Sequence, residues 1–342
     1  MNNYIVTSVE EGKLIGGNKA KKDVCFFLTS NNNFRSIDII EKRGKLKKII
    51  YSETLLKKMI KKSEADNFIL QYPVASEFLE DSFIRLVRKY TKAKFFILIH
   101  DISSLQYPDV VGEGFQEREL NRFRKADGLI VHNEEMKEWL LKHNVSVPMV
   151  ELGVFDYQTE APMQRDIPFV GSVSFAGGLG RAGFLQKLQV NHPIHIMGPN
   201  RMDHYPECIK YDGQFTPDQL AGHLLQNFGL VWSGDSTETC SGYLGQYLKY
   251  NDPHKVSLYL SNGIPIIIWR EAALAKLIHD EKLGIVVDSL DDLDKALNKI
   301  SDDEYIKMRN NARRFGALIR KGHFIIKAAN AMTNNVNQKS KR

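Results

Sequence analysis

The chain has 342 residues, 43% of them hydrophobic and 26% charged, a length and balance that exclude a disordered chain and fit two α/β domains better than one core. A formal net charge of +6 comes with no helix-turn-helix, RNP-like or zinc-finger signature, so nucleic acid is not the expected partner. Cys25, Cys208 and Cys240 give neither zinc-ligand spacing nor an even disulfide set, and with no signal-peptide pattern and no long apolar run the expected setting is the cytoplasm, without a transmembrane segment.

In chain order, residues 4–9, 67–71, 95–99, 129–131 and 149–152 read as strands, with residues 75–90, 116–125 and 134–143 as the helices between them. This alternation predicts a parallel sheet with helices on both faces. After the first strand comes GGNKAKKD, Gly16 to Asp23, which reads either as an anion-binding helix start or as a simple tight turn. Residues 42–62 concentrate lysine. As a helix they would turn Ile49, Ile50, Leu55, Leu56 and Met59 inward and a lysine face outward, either a plain solvated face or one that docks on an acidic partner or a membrane.

The polar loop 157–166, with Pro162, marks the boundary, and the expected organisation is an N-terminal domain over 1–157 and a C-terminal domain over 158–317. A helix over 318–334 lies outside the repeat and is expected to return to the first domain, followed by a polar, disordered tail over 335–342. In the second domain residues 168–170, 194–197, 230–232, 265–268 and 285–287 read as strands and residues 217–226, 253–262, 272–279 and 290–300 as helices. Two such domains create a cleft, the default place for a ligand.

Three segments of this half carry chemistry. Gly178-Leu-Gly-Arg-Ala-Gly183 matches the dinucleotide fingerprint formally, but no acidic ribose ligand follows the next strand, and a diphosphate loop carrying Arg181 fits better. Within Phe228 to Trp269, Pro253 starts a helix whose first turn offers His254, Lys255 and Ser257 beside unpaired amides. Such a cation and helix dipole would stabilise a leaving UDP more than the bound substrate; an ordinary proline-started helix is the competing reading. Asp292 and Asp294 are spaced like an acidic metal-binding pair, but they follow a strand and open a helix, where capping carboxylates are expected, so no metal is predicted.

FGLVW, HKVSLYLSNGIPIII, LGIVV, DEYIKM and LIRKGHF resemble, in order and spacing, the glucosyltransferases that act second in glycosylating serine-rich-repeat adhesins. The same segments resemble bacterial β-1,6-galactofuranosyltransferases, most closely in TCSGYLGQYLKYNDPHK. The resemblance implies a GT-B fold, two Rossmann-like domains facing a central cleft, with a UDP-sugar as substrate, no cofactor, and often a homo-oligomer, dimer or tetramer. Matched by motif, it implies that Gly177, Arg181, Asp235, Lys255 and Ser257 meet the donor, that Phe215 stacks on uracil, that Thr239, Cys240 and Ser241 fall in the loop facing the sugar and influence which hexose is accepted, and that Gly17 and Asn18 line the cleft. In FFILIHDISSL, His100 would orient its loop and Asp101 would serve as catalytic base, or as a turn residue only. The acceptor so implied is GlcNAc on Ser or Thr of an adhesin, taking glucose or N-acetylglucosamine; hexosyl or galactofuranosyl transfer onto a polysaccharide, and a non-catalytic sugar-nucleotide-binding partner protein, are the rivals. The paired glutamates of some retaining enzymes are not evident, so the stereochemical course stays open.

Overall fold

The computed structural model describes residues 1–9, 16–31, 33–40, 42–74 and 76–339. They separate into two units, Met1–Gly153 with Gly322–Arg342, and Val154–Lys321.

The first unit is built on β1 (Asn3–Val9), β2 (Phe34–Ile40), β3 (Asn67–Tyr72), β4 (Lys94–Ile99), β5 (Gly128–Val131) and β6 (Met149–Glu151). All pair in parallel, in the order β2-β1-β3-β4-β5-β6. The central strands β3 and β5 are buried along their whole length, because parallel strands flanked by helices have no wet face and read as unbroken apolar runs. β2 is an edge strand with exposed Arg35, Ser36 and Asp38, and these polar residues hide it from a search for such runs. The order reverses between β1 and β3, the switch point where open α/β sheets bind ligands.

The second unit contains β7 (Val173–Ala176), β8 (Ile194–Met197), β9 (Ile209–Gly213), β10 (Phe228–Val231), β11 (Ile266–Trp269) and β12 (Gly284–Val287). Their parallel order is β12-β11-β10-β7-β8-β9. Counted from β7, this is the doubly wound order of dinucleotide-binding sheets, with its switch point between β7 and β10.

Three expectations are corrected. The strand expected over 168–170 lies instead at β7, because Gly171 turns through a left-handed φ of 65° and Asn227 Oδ1 accepts from the amides of Val170 and Ser172, both at 3.1 Å, fixing a turn there. The lysine-rich segment is helical as Lys45–Tyr51 and Lys57–Ser63, but a π-turn over Ser52–Leu56 joins them. That wider turn shifts the register, so Leu56 and Ile60 are buried while Ile49, Ile50 and Leu55 are exposed. The last helix, His323–Lys339, runs past the expected start of a disordered tail, carried by buried Ala328, Ala329, Met332 and Thr333.

Candidate functional site

In the second unit the sequence places a glycine at the carboxyl end of each of three neighbouring strands. Gly177 follows β7, Gly198 follows β8, and Gly213 ends β9. Gly177 N–H donates to Met197 O and Gly198 N–H to Gly213 O, both at 3.0 Å. A Cβ on Gly198 would lie 1.8 Å from Gly177 O, so the close approach requires glycine and leaves a side-chain-free shelf beside the switch point. From this shelf the chain enters two short 3-10 turns, Leu179–Arg181 and Gly183–Gln186. No α-helix opens there, so the formal dinucleotide fingerprint lacks the helix that such a site needs.

The helix His254–Ser261 faces the shelf because Tyr259 bolts it to the sheet. The Tyr259 hydroxyl accepts from Ala176 N–H at 2.8 Å and donates to Ser174 O at 3.3 Å. Its ring lies against Gly229, where a Cβ would come within 2.2 Å of it. One helical turn earlier stands Lys255, on the same face. Its ammonium sits 4.2 Å from the centroid of the Phe175 ring and 3.6 Å from where a Gly177 Cβ would be. Burial pushes this ammonium down to about 8, and it makes no ion pair with any described residue. Pro253 caps the helix without a side-chain hydrogen bond, and the buried Ser257 Oγ has no hydrogen-bond partner. A buried cation, a bare helix N-terminus and an unsatisfied hydroxyl together favour an anion.

The loop after β10 supplies the rim. Asp235 N–H donates to Ser241 Oγ at 2.9 Å, and the Asp235 carboxylate covers Gly183, whose Cβ would come within 2.3 Å of it. This ties the exposed Asp235 to the turn that carries the exposed Arg181. Thr239 is half-buried. Cys240 in this loop is fully buried, and burial pushes its thiol up to about 12. Its thiol lies near the Lys255 ammonium and meets the backbone of Ser233. Phe215 stacks on His223, with centroids 3.7 Å apart and planes 11° apart, so one of its faces is already covered. Asp294 does not cap its own helix. Its carboxylate accepts from Asn191 N–H at 2.8 Å and from His192 Nδ1–H at 2.6 Å, fastening the turn before β8. No three His, Cys, Asp or Glu of the described residues converge as a metal set.

In the first unit, His100 and Asp101 follow β4. His100 is buried, and its Nε2–H donates to Gln71 Oε1 at 2.9 Å; Asp101 is half-buried at the strand end. His132, after β5, donates Nε2–H to Ile99 O at 3.0 Å, and burial pushes its imidazole down to about 4, which keeps it neutral. The loop beyond Asp101 is anchored by buried Glu119, which accepts from Ser103 N–H, Ser104 N–H and the Tyr72 hydroxyl at 2.8, 2.9 and 2.8 Å. Gly17 and Asn18 lie in the first turn of the helix Gly16–Asn31.

Sequence reasoning did not find Phe175, Tyr259, His223 or Glu119. Tyr259 carried a signal, being four residues after Lys255 and thus on its face of the helix; the other three depend on approaches between distant segments.

The family model described as Glucosyltransferase 3-like, N-terminal domain, matches residues 2–154, and its C-terminal counterpart matches residues 173–332. The chain is 29% identical over 325 residues to β-1,6-galactofuranosyltransferase WbbI of Escherichia coli, covering 94% of this chain and 95% of the relative. It is 26% identical over 238 residues to Glucosyltransferase 3 of Streptococcus gordonii, covering 69% and 70%. Among solved structures, sucrose-phosphate synthase of Thermosynechococcus elongatus superposes with a TM-score of 0.67 at 13% identity over 99% and 100% of the chains. Anabaena HepE in complex with UDP-glucose gives 0.58 at 10% identity over 99% of each. These likenesses establish the GT-B fold.

Proposed function

The chain belongs to the glucosyltransferase 3-like family and is a glycosyltransferase, and from that premise we propose that it moves a hexose from a UDP-sugar whose diphosphate is held at Lys255. The observation that carries this reading is the buried, unpaired Lys255 ammonium beside the glycine shelf at the second unit's switch point. In this reading Lys255, the amides at the start of its helix and Ser257 take the phosphate oxygens, and Arg181 approaches from the turn after Gly177. Charge that develops on the departing UDP meets groups already in place, which lowers the barrier without reorganisation. Phe215, backed by His223, stacks on uracil. The loop with Asp235, Thr239 and Ser241 borders the sugar. Asp101, at the carboxyl end of β4, takes the proton of the acceptor hydroxyl with His100 holding its loop. The sugar-nucleotide is a substrate, and the scheme calls for no resident cofactor or metal; full activity in a chelator is its expectation.

For the acceptor, the streptococcal relatives support GlcNAc on Ser or Thr of a serine-rich-repeat protein, taking glucose or N-acetylglucosamine. A second reading, galactofuranosyl or hexosyl transfer onto a polysaccharide, is favoured by the match to WbbI, which spans nearly the whole of both chains. We further propose that it works in the cytoplasm as a homo-oligomer. Incubation with a panel of UDP-sugars, against both a GlcNAc-bearing peptide and a saccharide acceptor, reads donor and acceptor from the mass gained. Lys255→Ala should lower turnover roughly 10²- to 10³-fold with the fold intact, the cost typical of a lost transition-state donor. Near-normal turnover by this variant would remove the assignment, and absence of both transfer and donor hydrolysis in the wild type would point to a silent sugar-nucleotide-binding partner.

A further inference from the structure

Away from this site, residues 42–62 hold nine Lys or Arg and one acid, Glu53. The helix Lys45–Tyr51 buries only Tyr51, whose hydroxyl accepts from Ile40 N–H at 3.1 Å, while Lys48 Nζ donates to Ser76 Oγ at 2.9 Å. Held at these points, it leaves Leu46, Ile50 and Ile49 exposed by 70%, 54% and 37%. Their spacing of three and four residues gathers them into one apolar spot. Lys45 and Lys47 stand exposed beside it and pair with no described residue. Lys57, Lys61 and Lys89 collect over the Tyr90 ring at 5.0, 5.2 and 5.4 Å, extending the positive surface along the next segment.

We propose that this face docks on an anionic lipid surface, with Leu46, Ile49 and Ile50 entering the head-group boundary and the surrounding lysines meeting lipid phosphates. A strongly basic rim around a small protruding apolar spot is the complement of such a surface, which supplies negative charge and an apolar layer a few ångströms below it. A second copy of this chain is disfavoured as occupant, because a two-fold contact would set lysines against lysines. No helix among the described residues is long and apolar enough to cross a membrane, so the attachment is a reversible one at the surface. The inference does not rest on the reading of Lys255.

The test is flotation of the purified full chain with vesicles of phosphatidylcholine alone, or of phosphatidylcholine with phosphatidylglycerol at about seven to three, chosen to give a strong negative surface potential. The wild type should float only with phosphatidylglycerol, roughly tenfold less at about 0.5 M than at about 0.1 M salt. Leu46→Ser with Ile50→Ser, at exposed positions, should keep the circular dichroism and thermal midpoint of the wild type and lose about tenfold or more in binding. Lys45→Gln with Lys47→Gln should weaken binding and flatten its salt dependence, whereas Lys255→Ala should float as the wild type does. Failure of the wild type to float with phosphatidylglycerol, or full flotation of the serine variant, overturns the proposal. So does a wild-type dimer that the serine variant abolishes, since that assigns the face to a second copy.

Discussion

Arg122 in the first unit and Lys255 in the second are buried cations treated in opposite ways. In the first, Glu119 accepts three hydrogen bonds and Arg122 is ringed by Glu77, Glu80 and Asp81 at 2.7, 3.4 and 3.0 Å. Lys19 pairs with Asp23 at 2.6 Å in the same manner. In the second, Lys255 rests on an aromatic ring with no carboxylate answering it. Charges whose partners are all internal hold a fold together, whereas a desolvated charge without one is kept at a cost and waits for a ligand.

The comparison breaks most visibly at Arg122. Arg122→Met leaves the buried Glu80 carboxyl without its cation, and denaturation should show a loss of about 3–5 kcal/mol; a loss below about 1 kcal/mol would mean that the cluster is not structural. The opposite sign is expected in the second unit. Lys255→Met, which removes a cation that burial disfavours, should stabilise the protein at pH 7 by about 1–3 kcal/mol while removing turnover. Because the folded value of about 8 lies below that of the unfolded chain, the unfolded state binds more protons between pH 8 and about 10.5, and wild-type stability should rise with pH across that window. The same titration gives the smallest effect: kcat/KM should fall as pH passes upward through about 8, where Lys255 loses its charge, and in Lys255→Arg, which stays charged, a residual activity should lose that limb. An unchanged limb in the arginine variant would assign the titration to another group.

The fold was legible where physics writes it locally. Unbroken apolar runs such as Phe68 to Leu70 and Ile266 to Ile268 can only be interior parallel strands, and they are. Legibility failed at the edge strand β2, whose outward residues are polar, at Gly171, where a side-chain oxygen 56 residues away sets the turn, and at Ser52–Leu56, where one wide turn moves the lysine-rich helix out of register. At the candidate site, Pro253 announces a helix start and the glycines a turn, so the positions of Lys255 and Gly177 at element ends follow from the sequence. Their nearness does not, because it depends on Tyr259 crossing to the backbone of β7.

That phenolic bolt divides the labour of the second unit. The helix bearing Lys255 is fastened to the sheet from below, while the segment from Asp235 to Ser241 is held separately, with Thr237 O accepting from Leu290 N–H at 2.8 Å and from the Ser289 hydroxyl at 3.1 Å. On the proposed reading, exchanging residues along the crest of that segment should leave the hold on the phosphates undisturbed, so that one scaffold could serve more than one monosaccharide.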